Sequence, residues 1–246
     1  MLKLLLSFIA AISFTLQANA SEGLIETYGS DLVSPFSRES RKYIIAGAAI
    51  TLTLVALEDE ISDPLQKSVA GSRPLGKTSG VGYYAGLGIP NALYAIGLWS
   101  YGELTNSSHA TNRAELMARA SISAQTASTL LKLTVREPRP SQPNDRLSFP
   151  SGHSTAAFSF ASVVGSEHAW YWGVASYSLA SFVAFSRIND NRHELHDVVA
   201  GATIGISYGL SVANRMRTTM SATSFNYLVS PTDDLDGLLM AINKSF

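Results

Sequence analysis

The 246-residue chain contains no cysteine, and only 15% of its residues are charged. The absence of cysteine excludes disulfides, thiolate nucleophiles and zinc sites built on sulfur. Ordinary soluble domains contain about 25% charged residues, so this deficit indicates a membrane protein or an unusually apolar helical bundle. The 18 basic and 19 acidic residues nearly cancel, which leaves a formal net charge of −1. Without a basic surface, the chain is not expected to bind nucleic acid.

The N-terminus has the pattern of a secretory signal peptide. Lys3 supplies a positive charge, residues 4–14 form a short apolar stretch, and the Ala-Asn-Ala sequence at residues 18–20 matches a cleavage site. We expect residues 1–20 to be a signal peptide, so that the mature chain begins at Ser21. The alternative is an uncleaved membrane anchor. Export suits a location in the bacterial cell envelope.

Long uncharged runs, separated by short charged or proline-rich segments, predict a helical protein. None of the runs shows the strict alternation of a strand, and each is long enough for a helix. We therefore predict an all-α fold, an antiparallel bundle of about six helices in a single domain over residues 21–246. The runs are residues 43–57, 78–102, 120–131, 154–166, 169–186 and 198–214.

The lengths of these runs are compatible with both a membrane-associated and a soluble bundle. Only residues 78–102 reach the roughly 20 apolar residues of a membrane span, and Pro90 interrupts them. Gly201, Gly205 and Gly209 repeat at every fourth position. This spacing lets two helices approach closely within a membrane, and it serves tight packing in a soluble bundle equally well.

Charged clusters occur at four helix ends that would lie together in an antiparallel bundle. One predicted helix ends near Lys132, the next begins near Ser151, a third ends near Ser186, and a fourth begins near His193. When short loops connect antiparallel helices, these ends and starts fall on the same side of the bundle. We therefore expect the clusters to form one site.

Lys132 and Arg139 form the first cluster and indicate a binding site for an anion. Lysine supplies a point charge, and arginine supplies a planar fork of donors that suits phosphate oxygens. The alternative is a basic helix C-terminus that only complements the helix dipole.

The second cluster, Pro-Ser-Gly-His at residues 150–153, would begin a helix. Ser151 is a good N-cap, and Gly152 lets a ligand approach the backbone closely. Free N–H groups at a helix start attract anions, and His153 would stand beside such an anion. The alternative is an ordinary capped helix with an incidental histidine.

The third cluster contains Arg187, His193 and Asp197. The four-residue spacing of His193 and Asp197 places both side chains on one face of a helix. A carboxylate that accepts the proton of one imidazole nitrogen leaves the lone pair of the other free, which makes the histidine a better nucleophile. The alternative is a surface ion pair. Arg192 and His196 are interpreted as solvated, or as supporting the site without contacting a substrate.

Together, the motifs Lys-x6-Arg-Pro, Pro-Ser-Gly-His and Ser-Arg-x5-His-x3-Asp resemble those of the type-2 phosphatidic acid phosphatase superfamily. This superfamily also contains bacterial acid phosphatases and vanadium haloperoxidases. The resemblance covers about residues 115–213, with every motif position present, whereas residues 21–114 carry no diagnostic motif.

The resemblance implies a phosphatase that hydrolyses phosphate monoesters through a phosphohistidine, without a metal or another cofactor. It implies that His193 attacks phosphorus, that Asp197 orients His193, and that His153 protonates the leaving group. No role is assigned to His109 or His168. The residues that the resemblance assigns to the phosphate oxygens are Lys132, Arg139, Arg187 and the amides of Ser151 and Gly152.

The expected activity is that of a membrane-associated phosphatase of lipid phosphates, with its site facing the periplasm. Candidate substrates are phosphatidate, a prenyl pyrophosphate and lipid A. The alternatives are a soluble periplasmic acid phosphatase of broad specificity, a vanadium haloperoxidase and a non-catalytic membrane protein.

Overall fold

A computed structural model describes residues 23–223, 227–231 and 238–242 of the chain. The predicted signal peptide, residues 1–20, lies outside the described residues. The chain divides into two compact units, residues 1–213 and 214–246. The predicted motif core, about residues 115–213, falls within the first unit. The predicted extent of a single domain, residues 21–246, stays a prediction.

Helices form the first unit, and the predicted all-α fold is confirmed. Six of the described helices have 16 to 29 residues, in agreement with the expected number of about six, and three shorter ones accompany them. The helices are α1 (Leu24–Val33), α2 (Arg41–Ala56), α3 (Asp63–Ser72), α4 (Ser79–Ala85), α5 (Ile89–Thr105), α6 (Ser108–Val135), α7 (Gly152–Glu167), α8 (Trp170–Asn189) and α9 (Leu195–Thr223). Short 3₁₀-helices occupy Ser34–Phe36 and Gly76–Thr78, and a short π-helix occupies Glu58–Ser62.

The second unit contains the end of α9 and one antiparallel β-hairpin. Its strands are β1 (Tyr227–Pro231) and β2 (Leu238–Ile242). Tyr227 pairs with Ile242 at one end of the ladder, and Pro231 pairs with Leu238 at the other. The sequence predicts no role for residues 218–246, so the hairpin is an addition to the predicted architecture.

The run at residues 78–102, expected as one helix, is divided into α4 and α5. Gly88 has a φ of 80°, a left-handed conformation that glycine adopts without steric cost. Pro90 then lies in the first turn of α5, where a missing N–H group costs nothing. The division frees α4 to pack against α8. Within the described part of the chain, no helix combines the length and the apolar character needed to cross a bilayer.

Short connections and one buried ion pair fix the helices against one another. Two residues join α5 to α6, and two join α7 to α8, so both pairs are antiparallel hairpins that pack along their lengths. Helix α1 packs on α6 through Asp31 and Arg119, whose side chains form a bidentate pair with N–O distances of 2.8 and 2.9 Å. Both groups are buried, and Arg119 Nη1 also donates to Glu115 Oε1 at 2.9 Å, so the loss of Asp31 or Arg119 would disrupt a buried network of charges.

The glycine stripe on α9 permits close contact with α7. A β-carbon at Gly205 would lie 2.6 Å from the carbonyl oxygen of Thr155, and one at Gly201 would lie 2.4 Å from that of Ser151. Gly209 similarly faces Ser162. The backbones of α7 and α9 are therefore in contact along the side of the bundle that carries Ser151 at its end.

We expect Gly205→Ala to destabilise the protein by about 1–3 kcal/mol, because the added methyl group would overlap backbone atoms that cannot move independently. Thermal unfolding followed by circular dichroism measures the change. Gly97→Ala is the matched control, because a β-carbon at this helical position meets nothing within 4 Å. Alanine should raise stability there by about 0.5–1 kcal/mol. Equal melting temperatures for the two variants would contradict the close packing of α7 and α9.

Candidate active site

The buried carboxylate of Asp197, at the start of α9, joins three chain segments. Its Oδ2 atom accepts hydrogen bonds from Ser148 Oγ at 2.6 Å and from the backbone N–H of Glu194 at 2.9 Å. The backbone carbonyl of Asp197 accepts a hydrogen bond from the N–H of Ser151 at 2.9 Å. The residue therefore links the loop before α7, the N-cap of α7 and the beginning of α9.

His193 lies between Asp197 and Arg139. Its Nδ1 atom is 3.4 Å from Asp197 Oδ2, and its Nε2 atom is 2.9 Å from Arg139 Nη1. Because a guanidinium group can only donate, Nε2 accepts this hydrogen bond and the imidazole proton resides on Nδ1, facing Asp197. Burial lowers the pKa of His193 to about 4, with the charge of Asp197 opposing the shift and that of Arg139 adding to it. The ring is therefore neutral at pH 7.

Arg139 is held in place by the loop in which it lies. Its Nε atom donates to Asp145 Oδ2 at 2.7 Å, and Nη2 donates to the carbonyl of Leu147 at 3.1 Å. The Nη1 atom that contacts His193 also donates to the carbonyl of Arg192 at 3.2 Å. These contacts fix the plane of the guanidinium group beside the imidazole.

Lys132, near the end of α6, holds the same loop from the other side. Its Nζ atom donates to the carbonyl oxygens of Leu147 at 2.9 Å, of Ser148 at 3.1 Å, and of Pro150. Burial and the neighbouring charge of Arg139 lower the pKa of Lys132 to about 8, so the ammonium group remains mostly charged at pH 7. The structure thus shows Lys132 supporting the loop, and its contact with phosphate stays a prediction.

The start of α7 has the predicted N-cap. Ser151 Oγ accepts a hydrogen bond from the N–H of Ser154 at 3.4 Å, and the carbonyl of Gly152 accepts one from Gln125 Nε2 at 2.9 Å. The N–H of Ser151, predicted to hold a phosphate oxygen, donates to Asp197 instead. A contact between the Ser151 amide and phosphate would require the bond to Asp197 to break. The predicted contact between the Gly152 amide and phosphate stays a prediction.

His153 projects from the first turn of α7 and packs against Tyr83 of α4, with ring centroids 5.3 Å apart and ring planes tilted by 37°. Its Nε2 atom is buried and has no hydrogen-bond partner among the described residues. Burial lowers the pKa of His153 to about 3, and the charge of Arg187 is the next largest cause. The charges of Arg139 and Lys132 act in the same direction, as does that of His193 when it is protonated, so residues of the first and third predicted clusters affect this imidazole of the second.

Arg187 completes the site from the end of α8. Its side chain is buried, with Nη2 2.9 Å from Asp190 Oδ2 and 3.4 Å from the carbonyl of Ser79. Its guanidinium carbon lies 5.6 Å from the centroid of the Tyr83 ring. Tyr83 therefore contacts both His153 and Arg187 and joins α4 to the site.

Arg192 and His196 differ in their surroundings. Arg192 is half-buried, and its Nη1 atom donates to Gln142 Oε1 at 2.6 Å. His196 is only 3% exposed, so its interpretation as a solvated residue is wrong. It supports the site from within the protein, with Nε2 2.9 Å from Glu137 Oε1.

The residues that contact the site but were absent from the predicted set include Tyr83, Gln125, Glu137 and Ser148. Only Ser148, two residues before the Pro-Ser-Gly-His motif, carries a positional signal in the sequence. Among the described residues, two groups of side chains have ligand atoms within 4.8 Å of one another, Glu137 with His196 and Asp197, and Glu58 with Asp63 and Glu194. In the first group, Glu137 already bonds to His196, and we assign no metal site to either.

Comparison with known proteins agrees with the motifs. Residues 116–221 match the family model of the PAP2 superfamily. A segment of 66 residues is 47% identical to lipid A 1-phosphatase of Porphyromonas gingivalis, and this segment covers 25% of the chain but only 15% of that relative. The alignment with the crystal structure of Aquifex aeolicus LpxE covers 63% of this chain and 95% of the LpxE chain, at 22% identity and a TM-score of 0.46. Residues 116–221, which contain all three motifs, are therefore similar to the PAP2 superfamily, the type-2 phosphatidic acid phosphatases that the motifs resemble.

Proposed function

We propose that the protein is a phosphatase that hydrolyses phosphate monoesters of lipids through a phosphohistidine at His193. The observation that carries this proposal is the neutral imidazole of His193, whose Nε2 lone pair faces a cation while its Nδ1 proton faces Asp197. A nucleophile for phosphorus needs a free lone pair, and a phosphate group needs cations around it.

In the first step, His193 Nε2 forms a bond to phosphorus while the bond from phosphorus to the ester oxygen breaks. The imidazole ring becomes positively charged, and the carboxylate beside Nδ1 stabilises that charge. The leaving alkoxide takes a proton from His153, whose Nε2 atom is buried and unpaired. In the second step, His153 accepts a proton from water, and the resulting hydroxide displaces His193 from phosphorus.

Positively charged side chains, rather than a metal ion, would neutralise the negative charge of the transferred phosphoryl group. Arg139 and Arg187 would bind the equatorial oxygens, with Lys132 contributing its charge from the loop. Phosphate binding would move the Nη1 donor of Arg139 from His193 Nε2 to an oxygen of the substrate. This exchange leaves the nucleophilic lone pair free only when a substrate is present.

His153 must be protonated to act as an acid, although its pKa is about 3 in the free protein. Apart from burial, the causes of this low value are positively charged groups. A bound phosphate dianion would offset their charges and raise the pKa of His153. The substrate itself would thus supply the condition under which the acid becomes protonated.

Apolar side chains near the site support a lipid as the alcohol. Val81 and Tyr84, which flank the site residue Tyr83 on α4, are 60% and 63% exposed. Leu133 and Leu147, beside Lys132 and in the loop that it binds, are also exposed. Exposed apolar groups beside a charged pocket suit a phosphate joined to an acyl or prenyl chain. The relative from Porphyromonas gingivalis is named a lipid A 1-phosphatase, which favours this substrate class.

We also propose that the protein resides in the bacterial cell envelope, membrane-associated and with its site facing the periplasm. The predicted signal peptide at residues 1–20 supports export. Exposed apolar residues on α2, such as Ile45, Ile50 and Leu52, support contact with lipid.

We expect His193→Ala to lower phosphate release by about 10³-fold or more, because no other group replaces the nucleophile. Release from lipid A, phosphatidate, undecaprenyl pyrophosphate and p-nitrophenyl phosphate is measured with purified protein in the presence of EDTA. The chelator tests whether the reaction proceeds without a divalent metal.

His168→Gln serves as the matched control, because His168 contacts Tyr94, outside the predicted site, and should retain activity. Normal turnover by the His193 variant would refute the assignment of the nucleophile. A kcat/KM for p-nitrophenyl phosphate above that for every lipid would instead favour a broad-specificity acid phosphatase.

We expect saturating inorganic phosphate to raise the pKa of His153 from about 3 by at least about one unit, because the bound anion offsets the surrounding cations. Nitrogen-15 NMR of the histidine rings measures this pKa with and without phosphate. The ring of His168 provides an internal reference that should not change. A pKa of His153 that is the same in both conditions would argue against its proximity to the phosphate.

A further inference from the structure

His196 contacts the side of Asp197 that His193 does not use. His193 and Ser148 approach Oδ2 of the carboxylate, whereas Oδ1 has no hydrogen-bond partner among the described residues. His196 Nε2 lies 3.8 Å from this Oδ1 atom. The two imidazoles therefore lie on different oxygens of one buried carboxylate.

Three carboxylates surround the imidazole of His196. Glu137 Oε1 is 2.9 Å from Nε2, Asp197 Oδ1 is 3.8 Å from it, and Glu194 Oε2 is 3.7 Å from Nδ1. Burial raises the pKa of Glu194 to about 7, with Glu58 adding to the shift and His196 opposing it, so Glu194 is only partly ionised at pH 7. The ring of Phe149 lies beside that of His196, with centroids 6.1 Å apart. The carboxylates of Glu137 and Asp197 beside this buried ring favour a positive charge on His196.

We propose that His196 is a positioning residue, a buried imidazolium that ion-pairs with Asp197 and, through Glu137, ties the loop carrying Arg139 and Ser148 to the start of α9. This inference rests on the proposed function of His193 as the nucleophile. His196 does not touch the reacting phosphate in this proposal. It acts on the reaction only through the charge and position of Asp197.

The charges around the two histidines give them opposite protonation states. Burial alone would lower the pKa of His196, but the hydrogen bond to Glu137 and the charges of Asp197 and Glu194 raise it to about 9. His193 faces Asp197, the cations Arg139 and Lys132, and His153, and its pKa is lowered to about 4. Between about pH 4 and pH 9, Asp197 thus lies between a neutral imidazole and a charged one.

The positive charge of His196 keeps His193 in its nucleophilic form. Protonation of His193 is favoured by negative potential at Asp197, and the imidazolium of His196 reduces that potential. Without this charge, the pKa of His193 would rise. In acid, a larger fraction of the protein molecules would then have a protonated, non-nucleophilic His193. The acidic limb of the activity profile therefore depends on His196.

The test compares His196→Gln with Glu137→Gln in the purified full-length chain. In His196→Gln, the glutamine amide nitrogen lies near the position of imidazole Nε2, but the positive charge is removed. The pKa of His193, and with it the pKa of the acidic limb in the pH profile of kcat/KM, should therefore rise by about 0.5–1 unit. Glu137→Gln removes a negative charge while His196 remains protonated in acid. It should lower the pKa of His193, which is a shift in the opposite direction.

Nitrogen-15 NMR of the histidine rings gives the pKa values of His193 and His196 directly, whether or not the protein is active. His168→Gln is the matched control and should leave the pKa of His193 unchanged. Opposite shifts in the two variants support the proposal, even where the wild-type protein releases no phosphate and the proposed function fails. Shifts of the same sign, no shift, or a neutral His196 ring at pH 7 in the wild-type protein would overturn the proposal.

Discussion

The site depends on the complete burial of the Asp197 carboxylate. A buried carboxylate is stable only when hydrogen bonds or opposite charges replace its lost hydration. Ser148, the Glu194 amide and His193 satisfy one of its oxygens, and the carbonyl of the same residue anchors the N-cap of α7. Two segments that are about fifty residues apart in the chain, around Ser148 and Asp197, thereby meet at this carboxylate.

The C-terminal ends of two helices place positive charges around the neutral imidazoles of His153 and His193. Lys132 and Arg187 lie near the C-termini of α6 and α8, where the helix dipole favours cations. Arg139 reaches the site from a loop that Lys132 and Asp145 hold in place. Burial and these cations keep the imidazoles of His153 and His193 neutral, so that a negatively charged substrate can change their protonation when it binds.

The sequence was sufficient to predict the helical fold and the similarity to the PAP2 superfamily, because the long uncharged runs and the three motifs are local signals. It was not sufficient to predict the contribution of α4, since the position of Tyr83 depends on the turn at Gly88 and on packing against α8. The bond between Glu137 and His196 was also unpredictable, because it depends on the path of an irregular loop. For the same reason, the bonds from Lys132 to three carbonyl groups were not predicted, because the sequence indicated only an anion site or a charge that complements the helix dipole.

Identification of the phosphorylated residue during turnover tests the central claim most directly. The purified protein is mixed with substrate and quenched within milliseconds at alkaline pH, where a phosphoramidate bond survives, and its peptides are analysed by mass spectrometry. We expect transient phosphate on the imidazole of His193, and none when the protein is quenched before the substrate is added. Phosphate on a different residue, or unmodified His193 in protein that is turning over, would contradict the account.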